Sequence, residues 1–105
     1  MRVYISGKVT GLSEQEYTKN FKRAQARMEM MGHEVLNPVE QTKAIQNVTP
    51  WEMTYEEMMG HCLIALGSCD AIYLMKNWRD SPGAKYEKDT AVAQGKDIIA
   101  ETDEE

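Results

Sequence analysis

Four short runs rich in apolar and β-branched residues, 2–6, 34–36, 70–75 and 97–100, alternate along this chain with segments of helical period. That alternation constrains the fold more than any other feature. Two strands joined through a helix lie parallel, by a right-handed crossover, and repeating the unit builds a parallel sheet covered by helices. The nearly continuous apolar character of 70–75 fits a strand buried on both faces. The chain therefore reads as a three-layer α/β/α protein around an open parallel sheet of about four strands.

The helical segments carry their own punctuation. Ser13 and Glu16 form a capping box, Tyr17, Phe21, Ala24, Met28 and Met31 recur at steps of four and three, and Gly32 is placed to end the helix. Asn37-Pro38 stops the second strand, and 39–48, which has no clear period, is expected to loop over the surface with at most a helical turn. Thr49-Pro50-Trp51-Glu52 reads as a second capping box, with Tyr55, Met59, Cys62 and Leu66 forming the apolar face of a helix that reaches about Gly67. A further helix is expected over 82–94. With 105 residues there is enough chain for one core and too little for two, so 1–100 reads as a single domain, followed by an acidic tail, 101–105, expected to fray. In a small Rossmann- or flavodoxin-like sheet of this kind the ligand crevice lies outside the carboxyl ends of the strands, where strand order reverses. The loops 6–11, 37–39 and 76–82 fall on that edge.

One of these loops leads into a candidate site. Ser81 is a good N-cap and Pro82 takes the first helical position, so free N–H groups and the positive end of a helix dipole collect at Ser81, Gly83 and Ala84. Gly83 lets a ligand approach the backbone closely. Glu87 lies between one and two turns further on, with small residues at Gly83, Ala84 and Ala91 allowing that side of the helix to press on the sheet. A carboxylate buried there has its pKa raised and becomes a candidate for chemistry. Gly7 and Gly11 flank a loop that matches neither the dinucleotide fingerprint nor a P-loop, and it borders the same crevice as a tight turn or a backbone cradle. Trp78 is placed to stack on a base, and Lys8 and Arg79 to neutralise a phosphate. Asp70, at the opposite edge of the sheet, reads as structural.

Composition narrows the partners. A net charge of −5, with 17 acidic against 12 basic residues, argues against a surface for nucleic-acid polymers. The two cysteines, with no signal peptide or membrane-length apolar run before them, indicate a cytoplasmic chain with free thiols, and His61, Cys62 and Cys69 lack the spacing of a metal site. Eight methionines and the open edges of a four-strand sheet point to a homo-oligomer.

Taken in order, Tyr-Ile-Ser-Gly from Tyr4, Gly-His-Glu-Val-Leu-Asn-Pro from Gly32, Cys-Asp-Ala-Ile-Tyr-Leu from Cys69, Trp78, Ser-x-Gly-Ala-x-x-Glu from Ser81 and Gly-Lys-Asp-Ile-Ile from Gly95 span nearly the whole chain. Together they resemble the small bacterial and phage branch of the nucleoside 2-deoxyribosyltransferase-like superfamily, which includes 2′-deoxynucleoside 5′-monophosphate N-glycosidases. The resemblance implies an N-glycosidase or deoxyribosyltransferase that needs no metal or organic cofactor. It implies Glu87 as the nucleophile, Ser81 and Gly83 at a 5′-phosphate, and the segment from Tyr4 through Ser6 and Gly7 to Gly11 around the base and sugar. Serine at 81, where the transferases usually carry aspartate, favours a phosphorylated substrate. Cys62 departs from the pattern, holding a place where active relatives carry a second aspartate. That departure keeps a non-catalytic nucleotide-binding or sensing module as the alternative.

Overall fold

The computed structural model describes residues 1–101 of the chain. The four apolar runs form one parallel sheet in the order β2-β1-β3-β4, from β1 (Arg2–Ser6), β2 (Glu34–Leu36), β3 (Ala71–Leu74) and β4 (Asp97–Ala100). Tyr4 lies level with Leu36 on one side and Ile72 on the other, which makes β1 and β3 the two central strands. Their side chains alternate between faces. Val3 and Ile5 point into a core with Phe21, Ala24, Met28 and Val39, and Tyr4 into a second core with Ala65, Leu66, Ile72 and Ala91. Helices α1 (Glu14–Met30) and α2 (Pro38–Val48) cover the first face, α3 (Tyr55–Gly67) and α4 (Pro82–Ala93) the second. This is a three-layer α/β fold. Strand order reverses between β1 and β3, so the crevice expected of such sheets opens at Ser6 and Leu74.

Most helix ends sit where their capping residues place them. Ser13 Oγ accepts from the N–H of Glu16 at 3.1 Å, and Ser81 Oγ from that of Ala84 at 3.1 Å. Two expectations are corrected. Residues 39–48 are not a surface loop but the body of α2, capped by Asn37, whose side chain accepts from the N–H of Val39, with Pro38 at the first helical position. Only Pro38 and Val39 of α2 are buried, so the helix packs by its first turn and leaves little apolar period to read. The box that opens α3 is Thr54 with Glu57, not Thr49 with Glu52. Thr49 is spent on ending α2, donating its hydroxyl to the Ile45 carbonyl, and Gln46 bridges the connection through Trp51 O and Met53 N. Trp51 itself is exposed.

The tail expectation is corrected at its first residue. Glu101 extends the pairing, donating its N–H to Leu74 O at 2.8 Å and accepting from Lys76 N on its carboxylate at 3.0 Å. The remainder of that tail, 102–105, lies outside the described residues. Among the described residues no helix is long and apolar enough to cross a membrane.

Candidate functional site

Tyr4 and Ser6 are two apart on β1 and so share a face. Both aim at Glu87, on the second turn of α4: Tyr4 Oη donates to Glu87 Oε2 at 2.5 Å and Ser6 Oγ to Oε1 at 2.7 Å. Each carboxylate oxygen therefore has its own donor, and the plane of the group is fixed. Glu87 is 7% exposed and Ser6 and Tyr4 still less. Burial raises the Glu87 pKa above the ordinary glutamate value, and the bonds from Tyr4 and Ser6 offset only part of that rise. Tyr4 is pushed well above its usual range, by burial and then by the charge of Glu87. At neutral pH it is therefore a protonated donor.

Glu87 and Tyr4 form part of the wall of a cavity of about 530 Å³ at the carboxyl edge of the sheet. Its volume is in the range of small-molecule sites. Gly7 enters from the end of β1, Ser81 and Gly83 from the start of α4, Tyr17 and Phe21 from α1, Val39 and Lys43 from α2, and Tyr55, Met59 and Cys62 from α3. Most of the lining is apolar or aromatic, and Glu87 is the one carboxylate among the described residues that line it.

The turns at the crevice are held by close approach. A Cβ on Gly7 would stand 2.0 Å from the Met75 Cε methyl and 3.2 Å from Met75 Cβ, so a side chain there would have to displace the Met75 side chain that follows β3. The loop beyond is tied down where Lys8 N donates to Asn77 Oδ1 at 3.0 Å. On α4, a Cβ at Gly83 would lie 3.1 Å from both Met59 Cε and Tyr55 Oη, so the Tyr55 hydroxyl stands over the helix start. At that start Ser81 N donates to Trp78 O and Ala84 N to Ser81 Oγ. The Gly83 N–H, at the second position of α4, has no carbonyl of its own helix to donate to.

The structure thus brings Tyr4, Gly7, Ser81, Gly83 and Glu87 to one cavity, with Ser6 immediately behind the carboxylate. Ser6 is 1% exposed, and its hydroxyl is engaged with Glu87. Gly11 and Trp78 are not among the lining residues. Gly11 takes a φ of 90° in the turn before α1. Trp78 lies in a 3₁₀ turn (Lys76–Asp80) that packs it on the second core, with the Arg79 guanidinium 5.1 Å and the Lys88 ammonium 5.8 Å from its ring. Asp70 accepts from Arg2 N at the far edge of the sheet, as its structural reading requires. Sequence reasoning missed Tyr55 and Met59 as site residues, because an apolar stripe on a helix looks the same whether it faces a core or a cavity.

Cys62 faces the same cavity as Tyr4 and Glu87. Burial pushes its thiol pKa up, a bond to Tyr4 opposes that, and the Glu87 charge adds to the rise, so the sulfur is a neutral thiol. Both cysteines are free, and among the described residues no three of His, Cys, Asp and Glu converge on a point where a metal could bind.

Fold and site define a small parallel α/β protein with a donor-clamped, buried carboxylate at the strand-order reversal. The chain belongs to the family described as a domain of unknown function (DUF4406), whose model matches residues 1–100. No curated protein matches it.

Proposed function

We propose that this protein cleaves the base–sugar bond of a deoxynucleoside or its 5′-monophosphate, as an N-glycosidase or deoxyribosyltransferase with Glu87 as nucleophile. The observation that carries the reading is the Glu87 carboxylate, buried and held by Tyr4 and Ser6 while facing a cavity large enough for a nucleoside. Both donors leave lone pairs on the oxygens they bind. In the proposed step one Glu87 oxygen bonds to the anomeric carbon as the carbon–nitrogen bond breaks, and the electron pair leaves with the base. Water then displaces Glu87 from that carbon, its hydroxyl joining the sugar and its proton balancing the base; in transfer, a second base takes the place of water. This double displacement is the retaining course, in which a carboxylate attacks as nucleophile; retaining glycosidases ordinarily pair it with a second carboxyl group as acid and base, and among the described lining residues Glu87 is the one carboxylate.

The reaction so written needs no metal or organic cofactor. The same reading includes self-association, supported by exposed Trp51, Ile64 and Tyr86, and a cytoplasmic setting, supported by the free thiols. Sedimentation at micromolar concentration tests the first: a mass above 12.0 kDa supports it and a monomer rejects it.

A second reading is favoured by Cys62. A neutral thiol stands in the wall where the resemblance implies a carboxylate. On that reading the cavity binds a nucleoside or nucleotide without turning it over. Chromatographic detection of free base separates the two: release that disappears in Glu87→Ala supports cleavage, whereas a ligand-dependent rise in Tm with no release supports the binding module.

A further inference from the structure

We infer that the cavity takes an uncharged ligand, a nucleoside whose free 5′-hydroxyl meets the start of α4, and discriminates against the corresponding phosphomonoester. The inference rests on the glycoside-cleavage reading above and replaces the expectation of a phosphate drawn from Ser81. Its ground is the inventory of charge around the cavity.

Among the described lining residues the charged side chains are Glu87 and Lys43. Lys43 stands on α2, about half exposed, with its ammonium 3.4 Å from Glu14 Oε2 in an exposed ion pair. The two cations expected to neutralise a phosphate are elsewhere. Lys8 is absent from the lining, and its Cε lies 3.7 Å from where a Cβ on Gly11 would stand; Arg79 is held over the Trp78 ring. Thr102, Asp103, Glu104 and Glu105 add no basic side chain.

At the helix start the donors on offer are neutral: the Gly83 N–H, the Ser81 hydroxyl, which accepts from Ala84 N and still has its own proton to give, and the Tyr55 hydroxyl. Such a set suits a hydroxyl, which both donates and accepts. A phosphate dianion removed from water calls for charge-assisted donors. The helix dipole contributes roughly half a positive charge. Against it stands the full negative charge of Glu87, one turn or about 6 Å further along the axis, in a cavity of mostly apolar wall. The two charges oppose each other whenever Glu87 is ionised, which is the state a nucleophile requires.

The test uses the wild-type protein and pairs each of several deoxynucleosides with its own 5′-monophosphate at one ionic strength. Where base is released, kcat/KM decides, and the expected result is at least a tenfold preference for the nucleoside. Where none is released, the concentration dependence of Tm decides, with the nucleoside expected to bind at least ten times more tightly. Equal or greater preference for the monophosphate in the deciding measurement overturns the inference and leaves the cleavage reading intact if release occurs. A nucleoside that raises Tm more strongly than its monophosphate but is not cleaved sustains the inference while removing the cleavage reading. No release and no shift with either removes both.

Discussion

A carboxylate taken out of water must be held by donors or give up its charge, and Glu87 shows both pressures at once. Its raised pKa has two consequences of opposite kind. Under the proposed function, protonation removes the nucleophile, so base release is expected to fall on the acid side, with a midpoint above the ordinary glutamate value of 4.5; a pH–rate profile checks it. For stability, a folded-state pKa above the unfolded one favours the fold at low pH, and that advantage is lost as pH rises through the folded value. Glu87→Gln is therefore expected to raise Tm at neutral pH, at about 4–8 °C for each kcal/mol gained, and the gain should shrink as the pH falls below the folded pKa. Thermal melts at several pH values decide this, and a lower Tm for the variant at pH 7 contradicts it. Ser6→Ala removes a bond that favours the ionised carboxylate, with a typical worth of about 1.5–3 kcal/mol. We expect kcat/KM to fall roughly tenfold to a hundredfold and the acid limb of the profile to move to higher pH. A purely structural role for Ser6 would leave that limb where it is.

Among the elements, α3 and α4 carry the cavity's working edge, and their starts are local in cause. Thr54 and Glu57 hold each other's backbone N–H groups, so Thr54→Ala is expected to cost about 1 kcal/mol, read as a fall in Tm. Gly83→Ala should separate packing from binding. Alanine is the better helix former, but its Cβ would press at 3.1 Å on Met59 and Tyr55, which line the cavity with Gly83. We expect Tm to change little and nucleoside affinity to drop at least tenfold; unchanged affinity would show that ligands do not approach Gly83. The element scale also shows where the sequence was hard to read. The caps at Ser13 and Ser81 were legible because each is followed by a helix that packs along its length. The Asn37-Pro38 pair read as the end of a strand, although it equally opens a helix, and α2 gave no apolar period to correct that. The capping box read at Thr49 lies five residues further on, at Thr54, because Thr49 closes α2 instead.

At the scale of the whole molecule, the parallel sheet was legible because the nearly continuous apolar run 70–75 and the strand–helix alternation point to the same topology. The order β2-β1-β3-β4 then brings the end of β1 against the start of α4, which is why Tyr4, Ser6 and Glu87 meet across some eighty residues of chain. The meeting of that edge with Glu87 could be read from topology. The far wall could not: Tyr55, Met59, Tyr17 and Phe21 belong to apolar stripes whose period says that they are covered, but not by what. Trp78 shows the converse limit, since its loop lies at the crevice while its ring packs on the core. The central claim is that this geometry makes Glu87 a nucleophile toward a glycosidic carbon. Its most direct test is chromatographic measurement of free base from a panel of deoxynucleosides and their 5′-monophosphates, with and without a second base, comparing wild type with Glu87→Gln. The account predicts release by the wild type that falls about a thousandfold or more in the variant; release that survives the substitution, or none from any member of the panel, contradicts it.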